Sequence, residues 1–219
     1  MLSIPERLLL LTLNDKGKVK MSSSTGIRYG LAGAILMELA LLEKVEVDKN
    51  RVILIDDQLT GDPVLDGALA NMKEIKKTKK AKFWVNKLAK KKYQDLVFRS
   101  LVEKDIVENV EEKILGIFPT KRYPIKDIET QNHLEQDLRA FILKEEVPEE
   151  RTLLLVGLLN TCKITNHIFA KDERKEARRQ IEKIMKSDLI SKSVSDAVKS
   201  VEAATIAAMG AAAASSVSS

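Results

Sequence analysis

The feature that most limits how this chain can fold is a helix-start signal that recurs directly before aliphatic segments. Ser3 and Glu6 form a capping box ahead of the aliphatic run at residues 8–13. The hydroxyl groups of residues 22–25 precede a second apolar segment that extends to about residue 42. Asp62 can cap a third helix that has Pro63 in its first turn. Signals of this kind, repeated along the chain, predict a mainly α fold.

Composition supports the same fold class. Of the 219 residues, 44% are hydrophobic, but only 4% are aromatic and only nine are glycine and five proline. Apolar residues that are mostly aliphatic favour helices over a β-sandwich or a β-barrel. We expect a single domain over residues 1–211 and a flexible tail at residues 212–219. Four helices of the domain should begin near Asp127, Glu149, Lys171 and Ser191. The core of the domain should include Leu36, Leu39, Leu101, Leu155 and Leu158.

Two short β-hairpins are predicted between the helices. Apolar and polar residues alternate at residues 45–47 and 52–55, on either side of a polar turn at residues 48–50. A second hairpin is expected within residues 113–125, with its turn at residues 119–122. Its apolar residues, Ile117, Phe118 and Tyr123, lie near the tip. Because a lone two-stranded hairpin is only marginally stable, a second copy of the chain is expected to cover these residues.

Positive charge is concentrated in one segment. Residues 73–92 contain ten lysines and one acidic residue, a net charge of +9, and since the whole chain carries +5 the remaining residues carry −4. Lys73, Lys76, Lys77 and Lys80 have the spacing of one helix face, and Lys87, Lys91 and Gln94 are expected to continue a comparable stripe. Phe83 and Trp84 interrupt the lysines, which fits either an interfacial anchor or core packing.

Catalytic, metal-binding and nucleotide-binding motifs are absent from the sequence. His133 and His167 have no further ligand at a suitable spacing, so no metal site and no cofactor are expected. No nucleotide-binding, nucleophile-elbow or kinase signature is present, and no catalytic residue is proposed. The single Cys162 lies in an apolar run and is predicted to be a buried, unreactive thiol. A non-enzymatic protein that spans no membrane is therefore expected.

Four segments in register resemble the Golgi phosphoprotein 3 family: residues 8–17, 30–41, 60–66 and 101–104. The short chain without insertions also resembles the prokaryotic branch of this family. The resemblance implies a compact helical bundle wrapped by amphipathic helices, a hairpin used in self-association, and a basic face that docks on membranes. It further implies a peripheral protein of the cytosolic membrane face, at the Golgi in a eukaryote, that binds phosphatidylinositol 4-phosphate and the tails of other proteins.

The resemblance also suggests where a lipid headgroup would bind. Positions equivalent to the family pocket are Ser23, Ala32, Lys91 and Gln94, of which only Lys91 is charged. The basic residues Lys77, Lys80 and Lys87 are expected to extend the same headgroup-binding surface. Since lysine lacks the bidentate fork of arginine, selectivity for one headgroup should be weak.

Three functions remain open on the sequence. The first is a peripheral adaptor whose basic face binds anionic, phosphoinositide-like lipid headgroups. The second is an oligomeric cytosolic scaffold whose basic face binds acidic peptides. The third is a nucleic-acid-binding protein, which the basic pI of about 9.1 permits. The lysine segment contains no arginine and no series of aromatics for base stacking, so we disfavour the third.

Overall fold

The computed structural model describes residues 1–14, 16–20, 24–114, 118–144, 148–162, 164–186 and 192–217. These residues form a mainly helical structure, as predicted, with ten helices and two small antiparallel sheets of three and two strands. The elements in chain order are α1 (Ile4–Thr12), α2 (Ser24–Leu41), β1 (Val45–Asp48), β2 (Arg51–Leu54), α3 (Pro63–Ile75), β3 (Lys79–Lys80), α4 (Ala81–Leu88), α5 (Lys91–Glu103), β4 (Val110–Ile114), β5 (Phe118–Arg122), α6 (Ile128–Lys144), α7 (Glu150–Thr161), α8 (Thr165–Ile168), α9 (Arg174–Lys186) and α10 (Lys192–Val217).

Helices α1 and α2 form the centre of the core. Every residue of α1 is buried, and the helix packs against α2, α5, α6 and α7. Helix α2 is in turn covered by α10 and α4. The five leucines expected in the core are fully buried: Leu36, Leu39, Leu101, Leu155 and Leu158. Burial of such apolar surface is the main favourable term in folding.

The start of α1 is held by the buried carboxylate of Glu6. The Ser3 backbone N–H donates to Glu6 Oε2 at 2.7 Å, as the capping box predicted. On the other side, Ser100 Oγ and Lys104 Nζ from the α5 region donate to Glu6 Oε1 at 2.6 Å each. Burial alone would raise the pKa of Glu6, but the hydrogen bonds from Lys104, Ser100 and Ser3 hold the pKa below its usual value.

A second buried carboxylate, Glu38 of α2, completes the same helix end. The Ile4 backbone N–H donates to Glu38 Oε2 at 2.7 Å, and Arg151 Nε donates to Glu38 Oε1 at 2.8 Å. The first N–H groups of a helix have no partner within the helix, so a buried helix start needs acceptors of this kind. Glu38 and Glu6 therefore join α1 to α2, α5 and α7 by polar bonds inside an aliphatic core.

The first predicted hairpin is confirmed, and a third strand extends it. Strands β1 and β2 pair from Val45 with Leu54 to Asp48 with Arg51. The two residues between the strands have positive φ angles, 44° at Lys49 and 65° at Asn50, as a two-residue hairpin turn requires. Strand β3 adds to β2 through only two residues.

The predicted lysine stripe on one helix face is wrong. Helix α3 ends at Ile75, and Lys76 takes a left-handed conformation with φ 52°. Lys77 follows in a bend, and Lys80 lies in β3. The second stripe is also interrupted, because Lys87 belongs to α4 whereas Lys91 begins α5. Lysine is a good helix former, but tertiary context overrides propensity, and here residues 79–80 pair with β2 instead.

The second hairpin has a different turn from the one predicted. Residues 119–122 belong to β5, in which Lys113 pairs with Pro119 and Val110 with Arg122. The residues between the strands, 115–117, lie outside the described part of the chain, and Ile117 is one of them. Proline is tolerated because a two-stranded sheet leaves one edge of each strand free. Opposite charges support this register: Lys121 faces Glu111 at 3.5 Å, and Arg122 pairs with Glu112.

The C-terminal helices begin close to the expected positions, at Ile128, Glu150, Arg174 and Lys192, with the short α8 in addition. Helix α10 continues to Val217, so residues 212–217 are helical. Alanine, which is frequent here, has the highest helix propensity. The flexibility of the tail stays a prediction. The extent of the single domain stays a prediction.

Gly17 connects the loop after α1 to the second hairpin. Its φ is 68°, and its carbonyl oxygen accepts the Tyr123 N–H at 3.0 Å. A Cβ added to Gly17 would lie 2.2 Å from the backbone N of Pro124. No side chain fits there without movement of the backbone.

We expect Gly17→Ala to lower the free energy of unfolding by roughly 2–4 kcal/mol, because it combines backbone strain with a clash. Urea denaturation followed by circular dichroism measures this change. Gly210→Ala is the matched control: nothing lies within 4 Å of the added Cβ, and it should be neutral or stabilise α10 by up to about 1 kcal/mol. Equal stability of the two variants would contradict the role assigned to Gly17.

A second prediction concerns acid stability. Because the folded-state pKa of Glu6 is lowered, ionised Glu6 contributes stability that is complete above the unfolded-state pKa and is lost as the pH falls through the folded-state pKa. Glu6→Gln should lower the free energy of unfolding at neutral pH by roughly 1–3 kcal/mol. It should also weaken the dependence of stability on pH in the acid range. Urea titrations of both proteins from neutral pH to about pH 3 test this, and parallel curves would contradict it.

Candidate functional site

The basic segment, residues 73–92, spreads over the end of α3, β3, α4 and the start of α5. Its apolar side chains enter the core: Ala81, Trp84, Val85 and Leu88 of α4 are buried. Most of its lysines point outward; Lys73, Lys76, Lys77 and Lys80 are exposed, and so are Lys90, Lys91 and Lys92. The segment is thus a basic surface made from several short elements.

Trp84 is a core residue, with 2% of its surface exposed. This settles the two alternatives that the sequence left open in favour of core packing. Phe83 is 39% exposed and contacts the edge of the Trp84 ring at a centroid distance of 5.3 Å. The ammonium group of Lys79 lies 5.4 Å from the Phe83 ring centre. Phe83 is therefore the aromatic side chain that meets solvent among the lysines.

A cavity of about 240 Å³, here called the Lys91 cavity, lies between α5 and the second hairpin. It is lined by Lys91, Asp95, Arg99, Val102, Asn109, Lys121 and Tyr123. The Tyr123 ring stacks on the Phe98 ring at 3.7 Å with an interplanar angle of 9°, which fixes the hairpin to α5. Burial raises the pKa of Tyr123, so its hydroxyl group stays protonated at neutral pH.

Positive charge predominates in the Lys91 cavity. Three cationic side chains and one carboxylate line it, and both oxygens of that carboxylate, Asp95, accept from Lys91 Nζ at 2.7 Å. Exposed pairs of this kind are weak, so an incoming anion can displace Asp95. Arg99 lies one turn further along α5 and is exposed. The arrangement suits an anion of more than one charge, such as a phosphate group.

The structure separates the residues predicted to bind a headgroup. Lys91 lines the Lys91 cavity, and Gln94 is half-buried one turn later on α5. Lys77 lines a different cavity, described below, and Lys80 and half-buried Lys87 line neither. Ser23 lies outside the described residues. Ala32 is fully buried in α2 and cannot contact a ligand at the surface.

Sequence reasoning missed Arg99 and Lys121 as candidate binding residues. A signal for Arg99 was present, since Lys91, Asp95 and Arg99 follow one another at intervals of four on a single helix. Lys121 carried no such signal, because the hairpin turn was placed at residues 119–122. Only the pairing of β4 with β5 brings it to α5.

A larger cavity of about 430 Å³, here called the Trp84 cavity, lies where β2, α3 and α4 meet. Its lining consists of Val52, Ile53, Leu54, Asp57, Met72, Lys73, Lys76, Lys77, Thr78 and Trp84. Lys73 Nζ pairs with Asp57 at 2.7 Å, whereas Lys76 and Lys77 form no salt bridge within the described residues. The Trp84 indole N–H has no hydrogen-bond partner among the described residues.

Neither a metal-binding cluster nor a membrane-spanning helix is found in the described part of the chain. It contains no group of three or more histidine, cysteine or acidic residues that could hold a metal ion. None of the helices in the same residues combines the length and the apolar character that crossing a bilayer requires. These observations define the class as a mainly helical protein in which the basic segment and α5 border two of the surface cavities.

The family follows from comparison with known proteins. The model of the Golgi phosphoprotein 3 (GPP34) family matches residues 4–201, so the chain belongs to this family. The chain is also similar to vacuolar protein sorting-associated protein 74 of Schizosaccharomyces pombe, with 29% identity over 158 residues. That match covers 62% of this chain and 46% of the relative, so the chain spans about half the length of the relative.

The burial of Cys162 allows a test of the prediction that its thiol is unreactive. Its side chain is fully buried, and a Cβ added to Gly30 of α2 would lie 2.4 Å from its sulfur atom. Burial raises the pKa of the thiol to about 12, so almost no thiolate forms at neutral pH.

We expect Cys162 to be unreactive toward a chromogenic disulfide reagent in the folded protein and to react fully in concentrated urea, because only unfolding exposes the thiol. Absorbance measured with and without urea gives both rates. Rapid modification of the native protein at neutral pH would show that the thiol is accessible and that a role in chemistry must be reconsidered.

Proposed function

We propose that this protein is a peripheral membrane adaptor that binds anionic lipid headgroups through the Lys91 cavity and the surrounding basic surface. The observation that supports this best is the convergence of Lys91, Arg99 and Lys121 from two separate elements on one cavity. The phosphate of a headgroup would take the place of Asp95 beside Lys91. The proposed role is binding and recruitment rather than catalysis.

The wider basic surface adds attraction that depends little on the headgroup. Near an anionic membrane, each exposed lysine contributes on the order of 1 kcal/mol. Four engaged lysines would therefore bind with a dissociation constant of about 1 mM or lower before any contact in the cavity is counted. Phe83, exposed between these lysines, is placed to enter the interfacial region of a bilayer.

Selectivity for one phosphoinositide should be modest. Arg99 can present a bidentate fork to phosphate, whereas Lys91 and Lys121 act as point charges. We expect any anionic headgroup of equal charge density to bind within roughly tenfold of phosphatidylinositol 4-phosphate, a difference of about 1.4 kcal/mol.

The proposal that this protein is an adaptor rests on the matching family and on the similar protein from Schizosaccharomyces pombe. The matching family carries the Golgi in its description, and the relative is named for vacuolar protein sorting. We propose that the chain recruits a protein partner to the cytosolic face of a membrane, at the Golgi where the source cell has one. A nucleic-acid-binding function remains the competing hypothesis, because the same charges attract phosphate backbones.

Charge reversal at the cavity tests the lipid proposal. Lys91→Glu with Lys121→Glu should reduce co-sedimentation with vesicles that contain phosphatidylinositol 4-phosphate by at least tenfold. Lys171→Glu with Lys199→Glu is the matched control, since it changes exposed lysines remote in sequence by the same charge and should bind within about twofold. Circular dichroism of each variant verifies that it is folded.

The salt dependence of vesicle binding distinguishes attraction by the exposed basic surface from binding in a pocket selective for one headgroup. Exposed charges act over about 8–10 Å at physiological ionic strength, so several-fold higher salt should release most of the protein from anionic vesicles. Reversal of Lys77, Lys87 and Lys91 together should abolish binding. Salt-insensitive binding to one phosphoinositide, or tight binding to RNA or DNA but not to vesicles, would contradict the proposal.

Self-association through the second hairpin is a further part of the proposed function. In the described residues, β4 and β5 form a sheet of two strands, so β5 has one edge without a strand partner. The half-buried Tyr123 ring stacks on Phe98. Ile117, Phe118 and Tyr123 remain the sequence-based candidates for the contact surface.

Light scattering tests self-association through the hairpin. Ile117→Lys with Phe118→Lys should shift an oligomeric mass toward that of the monomer, since charged residues disfavour an apolar contact. If both the unmodified chain and this variant have the mass of a monomer, the hairpin is not an association surface.

A further inference from the structure

The Trp84 cavity has the features of a peptide-binding site. We propose that it binds a short acidic peptide in an extended conformation, which adds as a strand to the free edge of β2. The peptide would belong to the protein partner of the adaptor, and in that respect the inference rests on the proposed function. Three observations support it: an unpaired strand edge, unneutralised lysines beside it, and a buried N–H donor without an acceptor.

The strand edge is open where the cavity begins. Strand β3 pairs only with Arg51 and Val52 of β2. On the β1 side, the Ile55 N–H donates to Lys44 O at 2.9 Å. Because backbone groups alternate in direction along a strand, the N–H and C=O of Leu54 face away from β1. Within the described residues they have no backbone hydrogen-bond partner on that side.

The chain that could have paired with Leu54 turns away instead. Residues Lys76, Lys77 and Thr78, which directly precede β3, line the cavity rather than continue the strand. The space left beside Leu54 is about 430 Å³, within the usual range for ligand sites. An extended segment of a partner would occupy the position that a longer β3 would have taken. Main-chain hydrogen bonds then provide affinity, as in other cases of strand addition.

Charge identifies the chemical class of the peptide. Three lysines and one aspartate line the cavity, a net charge of +2, and Lys73 is already paired with Asp57. Glutamate or aspartate side chains of the peptide would pair with Lys76 and Lys77. The floor is apolar, since Val52, Met72 and Trp84 are at most 4% exposed, so alternating apolar residues would pack inward.

The indole N–H of Trp84 is the third observation. Trp84 is 98% buried, lines the cavity and donates no hydrogen bond within the described part of the chain. A buried donor without a partner is costly, and a peptide that draws the indole toward the cavity would satisfy it with a carbonyl or carboxylate oxygen. A membrane surface fits less well, because a lipid headgroup offers no main chain to pair with Leu54.

The protein contains one tryptophan, so the site has its own reporter. The experiment uses the full chain without lipid and a hexapeptide, blocked at both ends, that alternates valine with glutamate. We expect the single indole N–H resonance in a proton–nitrogen correlation spectrum to shift saturably with the peptide. A peptide with lysine for glutamate, and one with proline at the two central positions, should bind at least tenfold more weakly. An unmoved indole resonance, or equal binding of the proline peptide, overturns the proposal.

Matched variants locate the site. Lys76→Glu with Lys77→Glu should weaken peptide binding at least tenfold. Lys82→Glu with Lys90→Glu makes the same charge change at exposed positions of the basic segment outside the cavity, and should bind within twofold. Equal loss in both pairs would show binding by general charge and overturn the proposal. The spectra themselves show whether each variant is folded.

The lipid and peptide proposals fail independently. Lys91→Glu with Lys121→Glu should leave peptide binding within twofold while it removes vesicle binding. If this pair abolishes peptide binding instead, the peptide does not bind in the Trp84 cavity. If anionic vesicles without peptide move the indole resonance, and the peptide does not, the cavity is part of the lipid-binding surface and the inference is wrong.

Discussion

The structure depends on two buried carboxylates, Glu6 and Glu38, that hold the start of helix α1. Every residue of this helix is buried, and its cap, Ser3, is half-buried. Helix α1 lies in an aliphatic core that offers its first N–H groups no water, so acceptors must come from other elements. Glu6 accepts from Ser3 and is stabilised by Ser100 and Lys104, and Glu38 accepts from Ile4. Because these bonds tie α1 to the helices around it, the packing of the core and the placement of α5 are set together.

The placement of α5 in turn determines what the surface can bind. One face of α5 enters the core through Val97 and Leu101, and its other face carries Lys91, Asp95 and Arg99 toward the hairpin. The basic segment follows the same division, with apolar side chains of α4 inside and lysines outside. The rigid core thus presents the Lys91 cavity and the Trp84 cavity at separate places, which keeps the proposed lipid site apart from the proposed peptide site.

Local signals were sufficient for most helices and for the first hairpin. The capping box at Ser3, the Asp62 cap and the Lys49–Asn50 turn each act within a few residues, so they can be recognised in the sequence. The errors arose where a distant partner decided the outcome. Pairing of β3 with β2 removed the lysine stripe from a helix, and pairing of β4 with β5 moved the hairpin turn. Neither partner is visible from local periodicity.

From the sequence alone, one could conclude that the chain is mainly helical, that its charge is segregated and that it resembles the Golgi phosphoprotein 3 family, because capping, composition and motif order are local or global properties of the chain. The candidate sites needed the tertiary structure. Lys121 lies beside Arg99 only because the hairpin stacks on α5, and Trp84 lines a cavity only because β3 stops after two residues. A binding site is defined by side chains from elements distant in sequence, and their proximity is a result of packing that no local pattern records.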